Sequence, residues 1–274
     1  MKEPGLNGWF SIRDIATMLD GKDMVQELHR HDFYYVLALE KGSGFHAIDF
    51  TDYDVCDHSV FFMRPGHVHS ITLNAGSSGF LMQFKKGFYD SGDLHCEQLL
   101  RRAGNKNLCQ LNAEKFKRLN NILGELHREY NEQQEHYQQV VKAHLTLFFT
   151  ELIRYRQGRQ TVQPVKPFVQ EQLDIFMTLL ETHFSEHKQV SDYAGMMNLS
   201  VYQLNAVTKA AMGKTSSEMI NDYLILEARR YLLATSAQIT RIAYHLGYDD
   251  VSYFIRFFKK HTGYSPEAFR KYFK

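Results

Sequence analysis

The spacing of hydrophobic positions in the first third of the chain is that of β-structure. From about Asp23 to Lys86, short runs of aromatic and β-branched residues alternate with turn-forming residues. The clearest runs are Asp32–Leu39, Ser59–Met63 and Ser78–Phe84, and the turns between them are Lys41–Gly44, Pro65–Gly66 and Asn74–Ser78. Short strands separated by regular turns predict a sandwich or a barrel.

The spacing changes to that of helices between about Asn112 and Gln157. Apolar residues recur on one face of each of two predicted helices: Phe116, Leu119, Ile122, Leu123, Leu126 and Tyr130 on the first, and Val140, Val141, Leu145, Phe148, Phe149 and Leu152 on the second. Such a face must be buried. It packs either against the barrel of its own chain or against a second copy in a homodimer.

The last third of the chain contains a repeat. The segment Val190–Gly213 returns as Ile239–Gly263. Four pairs are 50 residues apart, and Ala194 and Ala243 are 49 apart, so one extra residue falls in a turn: the four pairs are Ser200 and Asp250, Leu204 and Phe254, Lys209 and Lys259, and Gly213 and Gly263. Each copy is predicted to be a short helix, a tight turn and a longer helix.

Each position in the repeat has a physical reason. An alanine midway along the first helix lets the second helix cross closely. Ser200 and Asp250 are predicted N-caps, and Gly213 and Gly263 are predicted left-handed C-caps. Leu204, Thr208, Phe254 and Phe258 are predicted to face inward. The repeat continues into a third helix, with Thr215 matching Ser265.

The second copy resembles the C-terminal signature of AraC-type transcriptional regulators. The matching residues are Ile242–Tyr248, Ser252–Lys260, Gly263–Pro266 and Phe269–Arg270. The resemblance implies a double helix-turn-helix that binds double-stranded DNA in a regulator, more often an activator than a repressor. The first copy departs from it, with Ala206 and Thr208 where the family commonly has an arginine and a phenylalanine. We therefore expect the first module to discriminate less between DNA sequences.

The candidate DNA contacts lie on the two recognition helices. In the second copy they are Ser252, Tyr253 and Arg256 toward the groove, and Lys259 and Lys260 toward phosphate. Arg256 is the main candidate, because a guanidinium can bond O6 and N7 of guanine together. In the first copy they are Tyr202, Gln203 and Asn205, with Lys209 toward phosphate.

The N-terminal strands resemble the cupin-like sensory barrel of many AraC-type regulators. The residues that carry this resemblance are His29–His31, Gly42–Gly44 and Pro65–His69. It implies that the barrel binds a small-molecule effector, for which a sugar is the commonest precedent. We place the effector against His31, Tyr35, Lys41 and His69.

Two other functions stay open. His29, His31 and His69, with Glu40, have the spacing of the ligands in metal-dependent cupins, so the barrel could be a metal-dependent enzyme fused to a DNA-binding module. The chain could also be a dimeric regulator that needs no effector. We predict the effector-responsive regulator, with no metal, no cofactor and no enzymatic activity.

The predicted fold class is α+β and multidomain. A cupin-like effector-binding barrel covers residues 1–110, a helical pair that could dimerise covers 111–157, a linker covers 158–167, and an all-α DNA-binding domain covers 168–274. Its two modules are joined by a helix from about Ser216 to Ala234, about 28 Å long. That length suits two recognition helices in successive major grooves, about 34 Å apart.

Composition and charge agree with this organisation. The 274 residues carry a net charge of only +1, but residues 228–274 have nine basic and three acidic side chains. The three widely spaced cysteines are expected to be reduced thiols. No apolar run is long enough to cross a bilayer, and the N-terminus lacks a secretory apolar core. We expect a cytoplasmic protein whose partners are DNA, a small-molecule effector, a second copy of the chain and the transcription machinery.

Overall fold

The structure, a computed structural model, describes residues 10–89, 94–157 and 167–273. The chain separates into two compact units, Met1–Thr161 and Val162–Lys274. The predicted linker at 158–167 lies outside the described residues except for Pro167, with which a helix begins. No helix of the described ranges is both long and apolar enough to span a membrane.

Within residues 10–89 and 94–157, the first unit combines nine strands with five helices. In chain order its elements are β1 (Phe10–Asp14), α1 (Ile15–Leu19), β2 (Met24–Arg30), β3 (Tyr34–Lys41), β4 (Gly44–Ile48), β5 (Thr51–Val55), β6 (Ser59–Met63), β7 (Val68–Leu73), β8 (Ser78–Phe84), α2 (Lys86–Tyr89), α3 (Leu94–Ala103), β9 (Leu108–Gln110), α4 (Ala113–Glu132) and α5 (Tyr137–Gln157).

These strands form two antiparallel sheets that share one core, and the two sheets together are called the barrel below. The five-stranded sheet has the order β1-β8-β3-β6-β9, and the four-stranded sheet has the order β2-β7-β4-β5. The three runs singled out in the sequence are the three central strands of the larger sheet. The prediction of a β-rich N-terminal domain followed by a helical domain is confirmed.

The position of β3 between two cores explains why its sequence is apolar without alternation. Tyr35, Leu37 and Leu39 face the core between the two sheets. Val36 and Ala38 belong to a second core, on the other face of the same sheet. A strand buried on both faces reads as a continuous apolar run rather than as an alternating one.

Helices α4 and α5 cover that second face. Phe116, Leu119 and Leu123 of α4 and Phe148 and Phe149 of α5 are buried in one core with Val36, Phe62 and Phe84 of the sheet. The predicted apolar stripes therefore pack against the barrel of their own chain. The helical pair and the barrel share one compact unit.

Over residues 167–273, the second unit contains helices and no strands. Its elements are α6 (Pro167–His183), α7 (Val190–Met196), α8 (Val201–Met212), α9 (Ser216–Ala234), α10 (Ile239–His245), α11 (Val251–Thr262) and α12 (Pro266–Phe273). Helices α7 and α8, and again α10 and α11, are the two predicted helix-turn-helix modules. Helix α9 joins them and has the predicted bounds.

The predicted caps are confirmed in both copies. The Ser200 side chain accepts from the amide of Gln203, and the Asp250 side chain accepts from the amide of Ser252. Gly213 and Gly263 end their helices in the left-handed conformation, with φ of 70° and 82°. The four predicted inward residues, Leu204, Thr208, Phe254 and Phe258, are fully buried.

Candidate functional site

Helix α11 presents a continuous polar face. Ser252, Tyr253, Arg256, Lys259 and Lys260 are all exposed, while Phe254 and Phe258 hold the opposite face in the core. The Arg256 side chain is 71% exposed and its Nη2 lies 3.9 Å from Oδ2 of Asp250. An exposed ion pair at that distance holds the guanidinium only weakly, so it is free to exchange Asp250 for another acceptor.

Helix α8 offers fewer free groups on the equivalent face. Tyr202 is 83% exposed. The Oε1 atom of Gln203 already accepts from the amide of Ser200, at 2.8 Å, as the second half of a capping box. The Oδ1 atom of Asn205 accepts from the amide of Ser216 at 2.9 Å, which ties it to the start of α9. Both amides keep NH2 donors for other partners.

Lys209 is also exposed on α8, in the position that Lys259 has on α11. At the position of Arg256, however, α8 has Ala206, which is exposed and offers no hydrogen bond. The two recognition helices therefore differ most at the one residue best suited to reading a base pair.

The turn of the second module is braced by the segment that follows α6. The Lys188 ammonium donates to the carbonyl oxygen of Gly247 and lies 4.8 Å from the centre of the Tyr248 ring. A Cβ atom on Gly247 would lie 1.6 Å from the carbonyl oxygen of Ser185. Burial lowers the pKa of Lys188, and Asp249 acts against that shift. This packing fixes the second helix-turn-helix against the first half of the domain.

The barrel contains a cluster of four histidines at one end of its interior. The Nε2 atoms of His29 and His31 lie 3.0 Å apart, as do those of His31 and His69. Nε2 of His46 lies 2.9 Å from Nδ1 of His69. His46 and His69 are fully buried, whereas His29 and His31 are half-buried.

Three strands and one loop build this cluster. His46 is on β4, His69 on β7 and His29 on β2, and His31 follows β2. A bulge between Gln26 and His29 makes His29 the direct cross-strand partner of His69. Because a bulge adds one residue to one strand, it re-aims every side chain beyond it. Without it, Leu28 would face His69 and His29 would point out of the barrel.

The surroundings keep the imidazoles of His31, His46 and His69 neutral. Burial lowers the pKa of His31 to about 4, that of His46 to about 3 and that of His69 to about 2, and neighbouring histidines add to each shift. Neutral imidazole has a lone pair on one ring nitrogen, and such a nitrogen accepts hydrogen bonds or binds metals.

Two buried polar atoms beside the cluster lack hydrogen-bond partners among the described residues. They are the hydroxyl of Tyr35 and Nδ1 of His46. The Tyr35 ring centre lies 5.1 Å from that of His69 and 5.9 Å from that of His31. An unpaired buried polar group costs about 1–3 kcal/mol, which binding of a polar ligand would recover. The barrel therefore has the chemistry of a ligand site.

The structure brings together three of the four predicted effector residues, His31, Tyr35 and His69. Lys41 is exposed six residues beyond Tyr35 on β3, about 20 Å along the strand, and does not belong to the cluster. Glu40, the carboxylate considered as a metal ligand, is exposed as well. Sequence reasoning missed His46. The signal was its two-residue spacing from Ile48, which is also buried on the inner face of β4.

Comparison with known proteins assigns both units. The chain matches the family profile of the AraC-like ligand binding domain over residues 16–149 and that of a helix-turn-helix domain over residues 193–272. The described fold and these two matches define a DNA-binding regulator with a ligand-binding domain. The chain belongs to the AraC-type family of transcriptional regulators.

Named relatives cover most of the chain. It is 27% identical to the HTH-type transcriptional activator RhaS of Pectobacterium carotovorum, over 88% of this chain and 86% of that protein. It is 24% identical to the RhaS of Escherichia coli O157:H7, over 89% and 87%. Among solved structures, ToxT of Vibrio cholerae aligns with 96% of this chain and 98% of its own, at 15% identity and a TM-score of 0.45.

Proposed function

We propose that the chain is a transcriptional activator that binds specific DNA through α8 and α11 and responds to a small molecule in its barrel. The observation that carries the proposal is the exposed face of α11. There Arg256, which forms a weak surface ion pair with Asp250, lies one turn before Lys259 and Lys260. A base-reading guanidinium beside phosphate-binding ammonium groups is what major-groove recognition requires.

The candidate contacts have different roles. Arg256 reads a guanine, and Ser252 and Tyr253 contact the groove beside it. Lys259 and Lys260 of α11 and Lys209 of α8 bind phosphate and supply the salt-dependent part of the affinity. Tyr202, Gln203 and Asn205 contact the DNA from α8, the last two through their amide donors, since their oxygens are engaged. The second module therefore supplies more of the sequence discrimination than the first.

The effector site lies at His31, Tyr35 and His69. Their imidazole nitrogens and the unpaired Tyr35 hydroxyl suit a small polar molecule, such as a sugar, with hydroxyl groups that donate and accept. Binding controls transcription only if the effector has different affinities for two arrangements of the protein. Lys41 has no part in this site.

The remaining proposals concern partners and location. We place the protein in the cytoplasm, where a regulator meets its DNA, and assign it no enzymatic activity. It acts with the transcription machinery as a homodimer. The apolar stripes of α4 and α5 are covered by their own barrel, so the dimer contact uses the outer face of these helices, where Leu147 is 47% exposed.

DNA footprinting tests this proposal. The full chain is bound to a fragment of its own upstream DNA, and the wild type is compared with Arg256→Ala at several salt concentrations. We expect the wild type to protect two segments about 10 base pairs apart. Arg256→Ala should lose about 1–3 kcal/mol of discrimination for its guanine and keep the salt-sensitive non-specific binding.

Ala206→Arg is the matched variant on the other module. It places a guanidinium at the position equivalent to Arg256, so it should change the preferred sequence of one segment only. Equal, weak binding of wild type and Arg256→Ala to every fragment would contradict the proposal. A new preference in the segment that Arg256 reads would reverse the assignment of the modules.

A further inference from the structure

The histidine cluster has the spacing of metal ligands. Two imidazole nitrogens that bind a common ion, each about 2.1 Å from it, lie about 3.0 Å apart at a right angle and about 3.4 Å apart at the tetrahedral angle. Nε2 of His31 lies 3.0 Å from the Nε2 atoms of both His29 and His69, at the short end of this range. The three ligand atoms all lie within 4.8 Å of one another.

Hydrogen bonds among the imidazoles alone do not satisfy this arrangement. Nδ1 of His29 lies 2.6 Å from the carbonyl oxygen of Glu27, which can only accept, so Nδ1 carries the hydrogen and Nε2 presents a lone pair. His31 must then donate from its Nε2. That single hydrogen has to serve both His29 and His69 at 3.0 Å. With a cation bound between the three rings, His31 carries its hydrogen on Nδ1 instead, and all three Nε2 atoms present lone pairs to the ion.

The outer contacts of these rings are those of metal ligands. A histidine ligand usually gives its other ring N–H to a carbonyl or a similar acceptor, which fixes its tautomer and orientation. Glu27 does this for His29, and His46 faces the second nitrogen of His69 at 2.9 Å. The buried hydroxyl of Tyr35, unpaired among the described residues, lies beside the same rings.

We propose that the barrel binds one divalent transition-metal ion through Nε2 of His29, His31 and His69, with His46 as a positioning residue behind His69. This deepens the proposed function, on which it rests for the role of the barrel as the ligand-binding domain. It reverses our sequence-based prediction of no metal, because the structure adds three observations to the spacing of the histidines. They are the 3.0 Å contacts between the Nε2 atoms, the tautomer of His29 and the contact of His46 with His69.

The ligand set selects the kind of ion. Three imidazoles without a carboxylate suit zinc, iron, nickel or copper rather than magnesium or calcium. Glu40, the only carboxylate considered from sequence, is exposed and takes no part. Three protein ligands leave at least one coordination position for another group. An oxygen of the effector, placed beside Tyr35, can occupy that position.

Metal uptake by the full-length protein tests the inference. The chain is stripped with a chelator and titrated with Zn²⁺ against a chromophoric competitor, and with Co²⁺ for its visible ligand-field bands. We expect one ion per chain. His29→Ala and His69→Ala should weaken binding at least 100-fold and abolish the Co²⁺ spectrum.

His127→Ala is the control, since His127 is a half-buried histidine of α4 that packs on Phe80 at the helix-covered face of the sheet. It should bind the metal as the wild type does. His69 is fully buried, so its variant could fail to fold, whereas the half-buried His29 can be removed with less disturbance. A normal circular dichroism spectrum of His29→Ala makes that variant decisive.

Two results would overturn the metal site. One is a wild type that takes up no ion at micromolar Zn²⁺ or Co²⁺, and the other is equal affinity in wild type and His29→Ala. Footprinting of the same samples separates the two proposals. Specific DNA binding without metal uptake would rule out the metal site alone. Metal uptake without specific DNA binding would rule out the regulator proposal alone.

Discussion

His29 and His69 are direct cross-strand partners in the smaller sheet, and they meet because β2 has a bulge between Gln26 and His29. Bulges cost regular pairing, and they occur where a strand must re-aim a side chain. Here the bulge turns His29 from the surface toward the interior, where its Nε2 reaches His31. The backbone of β2 therefore gives up regular pairing at this point and directs His29 into the histidine cluster.

Tyr35→Phe should separate stability from binding. The Tyr35 side chain is 2% exposed and its hydroxyl lacks a partner among the described residues. Removing the hydroxyl should raise the free energy of unfolding of the ligand-free protein by about 1 kcal/mol, because an unsatisfied buried group is lost. The same change should lower the affinity of the barrel for its effector. Urea unfolding of chelator-treated protein measures the first effect.

Tyr34→Phe is a natural control for that experiment. Tyr34 directly precedes Tyr35 in the chain but faces the other core, where its ring stacks with those of Phe62 and Phe84. It should leave the barrel site unaffected. A marked loss of stability in Tyr35→Phe would mean that its hydroxyl has a partner in the folded protein, and the idea of a poised ligand group would then fail.

His46→Phe tests the positioning role behind His69. His46 touches His69 through a 2.9 Å contact and packs on Phe61 with ring centres 4.7 Å apart. Phenylalanine keeps the packing but removes the hydrogen bond, so we expect a 10- to 100-fold loss of Zn²⁺ affinity at unchanged stoichiometry. Partial recovery in His46→Gln, whose carbonyl can accept from Nδ1 of His69, would separate orientation from packing. Unchanged affinity in His46→Phe would remove His46 from the site.

The helix-turn-helix domain could be predicted nearly completely from the sequence. Its information is local: Ser200 and Asp250 cap the helices that follow them, and Gly213 and Gly263 end those helices. The repeat then checks each assignment against a second copy. The one-residue difference also has a local cause. Asn198 and Gly247 both adopt positive φ, so the extra residue of the second copy is Asp249.

The ligand site could be predicted only in part, because its information is not local. His46 is brought to His69 by the pairing of β4 with β7, which joins residues more than 20 positions apart. The bulge in β2 has no sequence signature such as a glycine. Lys41 is predicted at an inward strand position or at the mouth of the barrel, but it is exposed at the end of β3. Strand register, which decides all three, depends on the whole sheet.

Lys259→Ala and Lys260→Ala should weaken DNA binding without changing its sequence preference. Both side chains are exposed on the last turns of α11. Each phosphate contact releases counterions, so each variant should lower the slope of log affinity against log salt by about 0.9. Titrations on the specific site and on a scrambled site measure this. Lys271→Ala on the exposed side of α12 is the control, and a relaxed base preference in either α11 variant would assign that lysine to the groove instead.

Gly247→Ala should damage the second module far more than its conformation alone implies. Gly247 has a φ of 72°, and an alanine there would have its Cβ 1.6 Å from the carbonyl oxygen of Ser185. Left-handed backbone costs a non-glycine residue about 1–2 kcal/mol, and the overlap adds a cost of similar size. We expect a total loss of about 3 kcal/mol or more in the unfolding free energy of the DNA-binding domain.

Gly263→Ala separates the two contributions. Gly263 has a similar φ of 82°, but an added Cβ there would meet nothing within 4 Å. It should therefore cost only the conformational part. Denaturant unfolding followed by circular dichroism gives both values. If the two variants lose the same stability, the segment that contains Ser185 and Lys188 moves aside at little cost and does not brace the second recognition helix. If Gly247→Ala alone also loses its specific footprint, this segment sets the position of α11 on DNA.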